Sequence, residues 1–220
     1  MESNDFIKRL SLGLKPIRPL PRPRVRFVYW LSASVFATGA TLFYLGVRSD
    51  IKDAMSDWEF IIQNSLLLLM SVMAALGAFI MSVPGERQSK HRWYVPLILG
   101  GVLATILVVS TCEGYNQGNM RAWFPGSGFS CLVSMAILSA FPGTLLFVML
   151  RRAAPLQLSV SGCCAFLAVT SMASLSANIH CAGNVPMHIL VWHFLPVLAM
   201  ALVGGWLGRW LLRWDAKTTS

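Results

Sequence analysis

The sequence predicts an all-α integral membrane protein, a six-transmembrane-helix bundle with both termini in the cytoplasm. Hydrophobic residues make up 55% of the 220 residues and charged residues only 12%, whereas a soluble domain carries about 25% charged residues. Six windows are long and apolar enough to cross a hydrocarbon core of about 30 Å, which takes about 20 residues each. We therefore expect spans at about 27–47, 61–83, 93–110, 129–150, 156–177 and 187–207.

The distribution of positive charge predicts the orientation of these spans. The N-terminal segment, the second and fourth loops and the C-terminal tail together hold 15 of the 18 Lys and Arg residues. The other side has only Arg48, Lys52 and Arg121. Positively charged loops stay in the cytoplasm, and basic residues near the surface attract anionic headgroups. The net charge of +9 thus reflects topology, and we expect no direct contact with nucleic acid.

The N-terminal segment is the cytoplasmic part with room to bind a partner. We divide the chain into a tail at 1–26, a transmembrane domain at 27–212 and a short cytoplasmic tail at 213–220. Apolar residues of the first tail recur on one helical face, and an isolated helix this short is marginal in water. These residues are Phe6, Ile7, Leu10 and Leu14. The segment would therefore fold on a partner or on the membrane, and a disordered basic tail is the alternative.

Residues 15–24 link this tail to the first span. Four prolines alternate with basic residues there, at positions 16, 19, 21 and 23. Such a composition favours an extended polyproline-like spacer and opposes a helix. The spacer would hold the apolar tail at a fixed reach from the bilayer.

Thiol and imidazole groups converge at the outer end of the predicted bundle. Residues 177–194 bring three of the four histidines and one of the five cysteines to the start of the sixth span. Two further cysteines flank the second outer loop. The resulting set is Cys112, Cys131, Cys181, His180, His188 and His193. Because ionisable groups at membrane depth are costly, such a set is a functional-site hypothesis; the alternative is a polar loop whose histidines lie at an interface.

Two chemistries suit this set of side chains. No C-x-x-C motif occurs, so a thioredoxin-like or zinc-ribbon site is not expected. Outside the cytoplasm thiols can persist as disulfides, which favours a long-range pair of Cys131 with Cys181. The two cysteines with His180, His188 and His193 would equally suit copper(I) or zinc. We expect no required cofactor beyond such an ion.

An ordered set of short motifs carries a resemblance to a known family. These are LKPIRPLPRP before the first span, VPGER after the second, Cys131 opening the fourth, RRAAPLQ before the fifth, and HC followed by HILVWHFLPVL. Together they resemble the NrsF family, six-span anti-sigma factors that are negative regulators of sigma F. The resemblance implies a bacterial inner-membrane protein that holds an extracytoplasmic-function sigma factor inactive. It also implies that Cys131 and Cys181 sense oxidants or metals, whereas Cys112 and the histidines enter from their chemistry alone.

We therefore expect a regulator and not an enzyme. The alternative is a membrane thiol–quinone oxidoreductase, which needs a vicinal cysteine pair at the outer face. The adjacent pair Cys163 and Cys164 lies toward the inner side of the fifth span. A haem-binding bundle would place histidines on facing helices, and a transporter would show inverted repeats with broken helices; the sequence shows neither pattern.

Overall fold

Every regular element that the structure describes is a helix. The computed structural model describes residues 5, 7, 11, 12, 20–83, 94–116, 126–181, 183 and 185–213. Six helices in these ranges are long and apolar enough to cross a membrane. They are α1 (Pro23–Leu45), α2 (Trp58–Met81), α3 (Tyr94–Asn116), α4 (Phe129–Arg151), α5 (Leu158–His180) and α6 (Pro186–Leu211). A one-turn helix, Ile51–Ala54, lies between α1 and α2. The prediction of six apolar helices is confirmed.

Two helices extend beyond the apolar windows that marked them in the sequence. α1 already begins at Pro23, so the expected extended spacer was wrong at its last two residues. Proline is tolerated at the first position of a helix because no N–H is needed there. α3 continues to Asn116, past the end of its apolar window at Ser110. Backbone hydrogen bonds continue a helix into polar surroundings, whereas hydropathy marks only its apolar part.

α5 is the central helix of the bundle. Its apolar window is 67% buried inside the protein, compared with 17% for α1. It packs against α2, α4 and α6, and its sequence is rich in Ala, Ser, Gly and Cys. Small residues let helix backbones approach closely in a membrane. Serine hydroxyls add hydrogen bonds between helices: Ser71 of α2 donates to the Ala168 carbonyl at 2.7 Å, and Ser159 donates to the Gly205 carbonyl of α6 at 2.8 Å.

The backbones of α5 and α6 touch at three glycines. A Cβ atom added at Gly162 would lie 2.3 Å from the carbonyl oxygen of Gly204 and 2.7 Å from the Cα of Gly208. Both contacts are with backbone atoms, which cannot rotate away as a side chain can. The crossing of α5 and α6 therefore requires glycine at this position.

The N-terminal end of α1 is attached to α2 and α4 through a buried arginine. Arg26 is buried in the first turn of α1, and its guanidinium lies over the Phe79 ring at 5.2 Å from the centroid. It donates to the Ser82 hydroxyl at 3.3 Å and to the Met149 carbonyl of α4. These bonds satisfy a charge that would be costly to bury alone. The first turn of α1, where the N-terminal tail ends, is thus tied to the C-terminal end of α4.

We predict that Gly162→Ala destabilises the bundle by about 1–3 kcal/mol, the usual range for overpacking. The measurement is thermal unfolding of the purified protein in detergent. Gly101→Ala on α3 is the matched control, because no atom lies within 4 Å of a Cβ there. Equal unfolding temperatures for the two variants would show that the α5–α6 contact is looser than described.

Candidate thiol and imidazole site

Four side chains meet at one end of the bundle, at the start of α4, the end of α5 and the start of α6. Cys131 lies in the first turn of α4, Cys181 directly follows α5, and His188 and His193 lie in α6. One sulfur or ring-nitrogen atom from each of the four lies within 4.8 Å of the others. We call these four residues the thiol–imidazole cluster. Cys131 is distant in sequence from the other three members, so the packing of α4 against α5 and α6 completes the cluster.

The two sulfur atoms of the cluster are in contact but not bonded. Cys131 Sγ and Cys181 Sγ are 3.1 Å apart, and both cysteines are free thiols. His188 Nε2 lies 3.6 Å from each sulfur. The His188 and His193 rings are neighbours, with centroids 5.4 Å apart and a tilt of 59°. A redox reaction between the thiols or the binding of a cation could occur here with small movements.

A π-helical turn brings the two histidines of α6 together. Residues Ile189–Phe194 form this turn, with α-helix on both sides. In a regular α-helix, residues five apart point about 140° away from one another. The wider i→i+5 turn of a π-helix reduces that angle, and such turns are found frequently at functional sites. Pro196 follows two residues later and provides no N–H for the carbonyl of Trp192, which favours a local break in the α-helical pattern.

His193 is buried with its polar atoms unsatisfied. The residue is 1% exposed, and neither ring nitrogen has a partner at normal hydrogen-bond geometry among the described residues. The ring faces the backbone of Ser174 on α5 without closing a hydrogen bond to it. A buried polar group without a partner is unfavourable by about 1–3 kcal/mol. An imidazole placed in this way can still accept a ligand.

Two glycines that the sequence reasoning did not single out provide the space for the cluster. A Cβ at Gly183 would lie 3.0 Å from His188 Cδ2 and 3.2 Å from His188 Nε2. A Cβ at Gly128 would lie 2.1 Å from the Trp192 ring, and Trp192 Nε1 donates to the Gly126 carbonyl at 3.0 Å. The π-helical turn is therefore docked on the start of α4. A glycine a few residues before a histidine or a cysteine is a common pattern, so the sequence did not predict that these two glycines make close contacts.

A buried arginine lies beside Cys181. The Arg48 side chain is 1% exposed and pairs with the Asp50 carboxylate through bonds of 2.7 and 2.6 Å. Its backbone N–H donates to the Ile179 carbonyl at 3.1 Å. The hydrogen bond to Asp50 raises the pKa of Arg48, and the same bond lowers the pKa of Asp50. The Arg48 charge also interacts with Cys181. The sequence had identified Arg48 only as one of three basic residues on the predicted outer side.

Two predicted site residues lie outside the cluster. His180 Nδ1 donates to the Gly46 carbonyl at 2.7 Å, so this ring is directed toward the loop after α1. Cys112 is exposed on α3 and is not one of the four grouped residues. The adjacent pair Cys163 and Cys164 lies within α5. The structure thus brings together Cys131, Cys181, His188 and His193, and the sensing and binding roles of all these residues stay predictions.

The predicted partner-binding tail is described only in part. Ile7 is helical and 62% exposed, so its side chain is accessible. Phe6, Leu10 and Leu14 lie outside the described residues. The apolar face of the tail therefore stays a prediction from the sequence.

Comparison with known proteins covers almost the whole chain. Residues 10–214 match the family model NrsF, described as a negative regulator of sigma F. Over 216 residues the chain is 26% identical to the anti-sigma-F factor NrsF of Caulobacter vibrioides (strain NA1000 / CB15N), which covers 97% of this chain and 100% of that protein. No solved structure matches the chain.

Proposed function

The chain belongs to the NrsF family, the negative regulators of sigma F, and from that membership we propose an anti-sigma factor that responds to stress through its thiol–imidazole cluster. In this proposal the protein lies in the bacterial inner membrane with both termini in the cytoplasm. Its N-terminal tail holds a sigma factor of the extracytoplasmic-function class inactive. A chemical change at Cys131 and Cys181 on the outer face releases that sigma factor.

The observation that carries the sensing role is the contact between two free thiols from different helices. A disulfide has a sulfur–sulfur distance of about 2.05 Å, so the sulfurs would approach by about 1 Å from their 3.1 Å separation. In the reaction the two thiols give two electrons and two protons to an oxidant. With hydrogen peroxide as the oxidant, the products are one disulfide and two molecules of water.

The free energy needed for such a switch is within reach of thiol chemistry. Moving a complex from about 1% to about 99% dissociated takes roughly 5.5 kcal/mol of differential stabilisation. A two-electron couple provides about 1.4 kcal/mol for each 30 mV, so a change of about 120 mV in redox poise is sufficient. An exposed ion pair contributes at most about 1 kcal/mol. A covalent change at the cluster is therefore a more effective switch than a rearranged surface charge.

A continuous path of contacts runs from the cluster to the start of the tail. Cys131 heads α4, and near the other end of the same helix the Met149 carbonyl accepts from Arg26. Arg26 lies in the first turn of α1 and is the last residue of the predicted sigma-binding tail. A shift of α4 would therefore act on the residue where the tail joins the bundle. This path consists of spatial contacts. Mutants are needed to measure the energetic coupling between the cluster and the tail.

We predict that Cys131→Ser and Cys181→Ser each keep the sigma factor bound and abolish induction of its regulon by the inducer. The double variant should be no worse than either single variant, because one missing thiol already prevents the disulfide. The measurement is expression of the sigma factor's regulon before and after peroxide. Cys163→Ser, on α5 outside the cluster, is the control and should respond normally. Normal induction in both single variants would show that the outer thiols have a structural role and do not sense the inducer.

We predict that Ile7→Asp releases the sigma factor without any stress. An apolar anchor in a helix-in-groove contact is often worth about 2 kcal/mol or more, so regulon expression should rise severalfold in unstressed cells. Leu12→Asp adds the same charge to an exposed residue that lies off the predicted face, and it should remain repressed. If Ile7→Asp is present in the membrane at normal levels and the regulon stays silent, the sigma factor binds elsewhere.

A further inference from the structure

We propose that Cys131, Cys181, His188 and His193 form a four-ligand site for a d10 divalent cation, Zn²⁺ being the prime example. The site would join the ends of α4, α5 and α6. This inference deepens the sensing role proposed above and rests on it for its biological consequence. Binding of the cation itself is a property of the chain that can be measured without any sigma factor.

The distances in the cluster are close to those of a tetrahedral zinc site. Bonds of about 2.3 Å to sulfur and 2.0–2.1 Å to nitrogen require sulfur–nitrogen separations of about 3.6 Å and a sulfur–sulfur separation of about 3.8 Å. The separation from His188 Nε2 to each sulfur is 3.6 Å. The two sulfurs, at 3.1 Å, would move apart by about 0.7 Å to reach that geometry. The four ligand atoms, including one ring nitrogen of His193, lie within 4.8 Å of one another. A movement of the His193 ring by about 1 Å toward the other three would complete the tetrahedral set.

His193 provides an independent indication that a ligand binds here. Its ring is 1% exposed, and neither nitrogen makes a hydrogen bond of normal geometry among the described residues, although the Ser174 backbone is near. The fold thus buries an imidazole whose hydrogen bonding is incomplete. Hydrogen-bonded or apolar side chains are the usual occupants of such a place. The π-helical turn Ile189–Phe194, itself a rare feature, is what brings His193 next to His188. A bound cation would account for both the unsatisfied ring and the irregular helix.

Charge balance selects the class of cation. Thiolate and imidazole ligands favour zinc and copper(I) over magnesium and calcium. Two thiolates and two neutral imidazoles around a divalent cation form an uncharged complex, which is the favourable form in a poorly solvated site. Copper(I) would leave a net negative charge with the same ligands. Binding of Zn²⁺ to the two thiols and two neutral histidines releases two protons, one from each thiol.

Cation binding and disulfide formation exclude one another at this site. The sulfurs must be about 3.8 Å apart around zinc but about 2.05 Å apart in a disulfide, and their present 3.1 Å separation lies between these values. A bound cation would also hold both sulfurs as ligands and keep them from an oxidant. The cluster therefore has three alternative states: free thiols, cation-bound thiolates and disulfide.

The experiment uses the full-length protein, reduced and metal-free in detergent, with Co²⁺ as the probe. Tetrahedral cobalt with thiolate ligands absorbs strongly in the visible and near-ultraviolet, whereas octahedral cobalt absorbs weakly. We expect one strongly absorbing Co²⁺ per chain, displacement by one equivalent of Zn²⁺, and release of two protons per cation. Zn²⁺ should also protect two thiols from alkylation, identified by mass spectrometry as Cys131 and Cys181, while Cys112 stays reactive.

Variants identify the ligands. Cys131→Ser and His193→Ala should weaken Zn²⁺ binding by about 100-fold or more, beyond the 10–100-fold typical of groups that only orient a ligand. His180→Ala and Cys112→Ser are the matched controls, since both residues lie outside the cluster, and they should bind as the wild type does. Gly183→Ala would press on His188, whose ring is within 3.0–3.4 Å of the added Cβ, and should weaken binding by about tenfold.

Weak octahedral absorption in the wild-type protein would overturn the inference, whatever the variants do. Unchanged binding by His193→Ala would also overturn the four-ligand site. Failure here is distinguishable from failure of the sensing role. If cobalt does not bind and Cys131→Ser still abolishes the peroxide response, the cation site fails and the thiol sensor stands. If cobalt binds as described and both serine variants induce normally, the cation site stands and the sensing role fails.

Discussion

The backbone contact between α5 and α6 determines where the reactive groups of this protein lie. Gly162 allows the carbonyl of Gly204 and the Cα of Gly208 to approach to a distance that any side chain would prevent. With the two helices fixed at this end, and only residues 181–185 connecting α5 to α6 at the other, their other ends are also neighbours. Cys181 leaves α5 there, and His188 enters α6 there. A contact between small residues in the bundle thus sets the geometry of a cluster of thiols and imidazoles at its far end.

Two buried arginines stabilise opposite ends of the bundle in different ways. Arg26 bonds to neutral acceptors, the Ser82 hydroxyl and the Met149 carbonyl, and stacks on Phe79. Arg48 is paired with the Asp50 carboxylate, and its charge acts on Cys181. Because Arg48 is paired with Asp50, no unpaired positive charge is buried beside the cluster. Arg26 instead fixes the point where the N-terminal tail meets α1 and α4.

The sequence was sufficient for the number of apolar helices. It named the four residues of the cluster together with Cys112 and His180, which lie outside it, and it did not give the geometry. Hydropathy marks apolar stretches, so six helices followed from it, while the helical end of α3 at Asn116 did not. The predicted topology placed the cysteines and histidines at one end of the bundle, but it gave no distances between them. His180 and His188 were therefore indistinguishable until packing directed His180 to the Gly46 carbonyl. The π-helical turn could not be foreseen because a spacing of five matches no regular helical face.

In the proposed function the thiol–imidazole cluster and the predicted sigma-binding tail lie on opposite sides of the membrane. The most direct test is labelling of intact spheroplasts with a membrane-impermeant thiol reagent. One variant keeps Cys112 as its sole cysteine, and a second carries Ser89→Cys in the second loop with all native cysteines replaced. We predict that Cys112 is labelled from outside, and that the cysteine at position 89 is labelled only after the membrane is opened. The reverse pattern, or labelling of both from outside, would contradict the account.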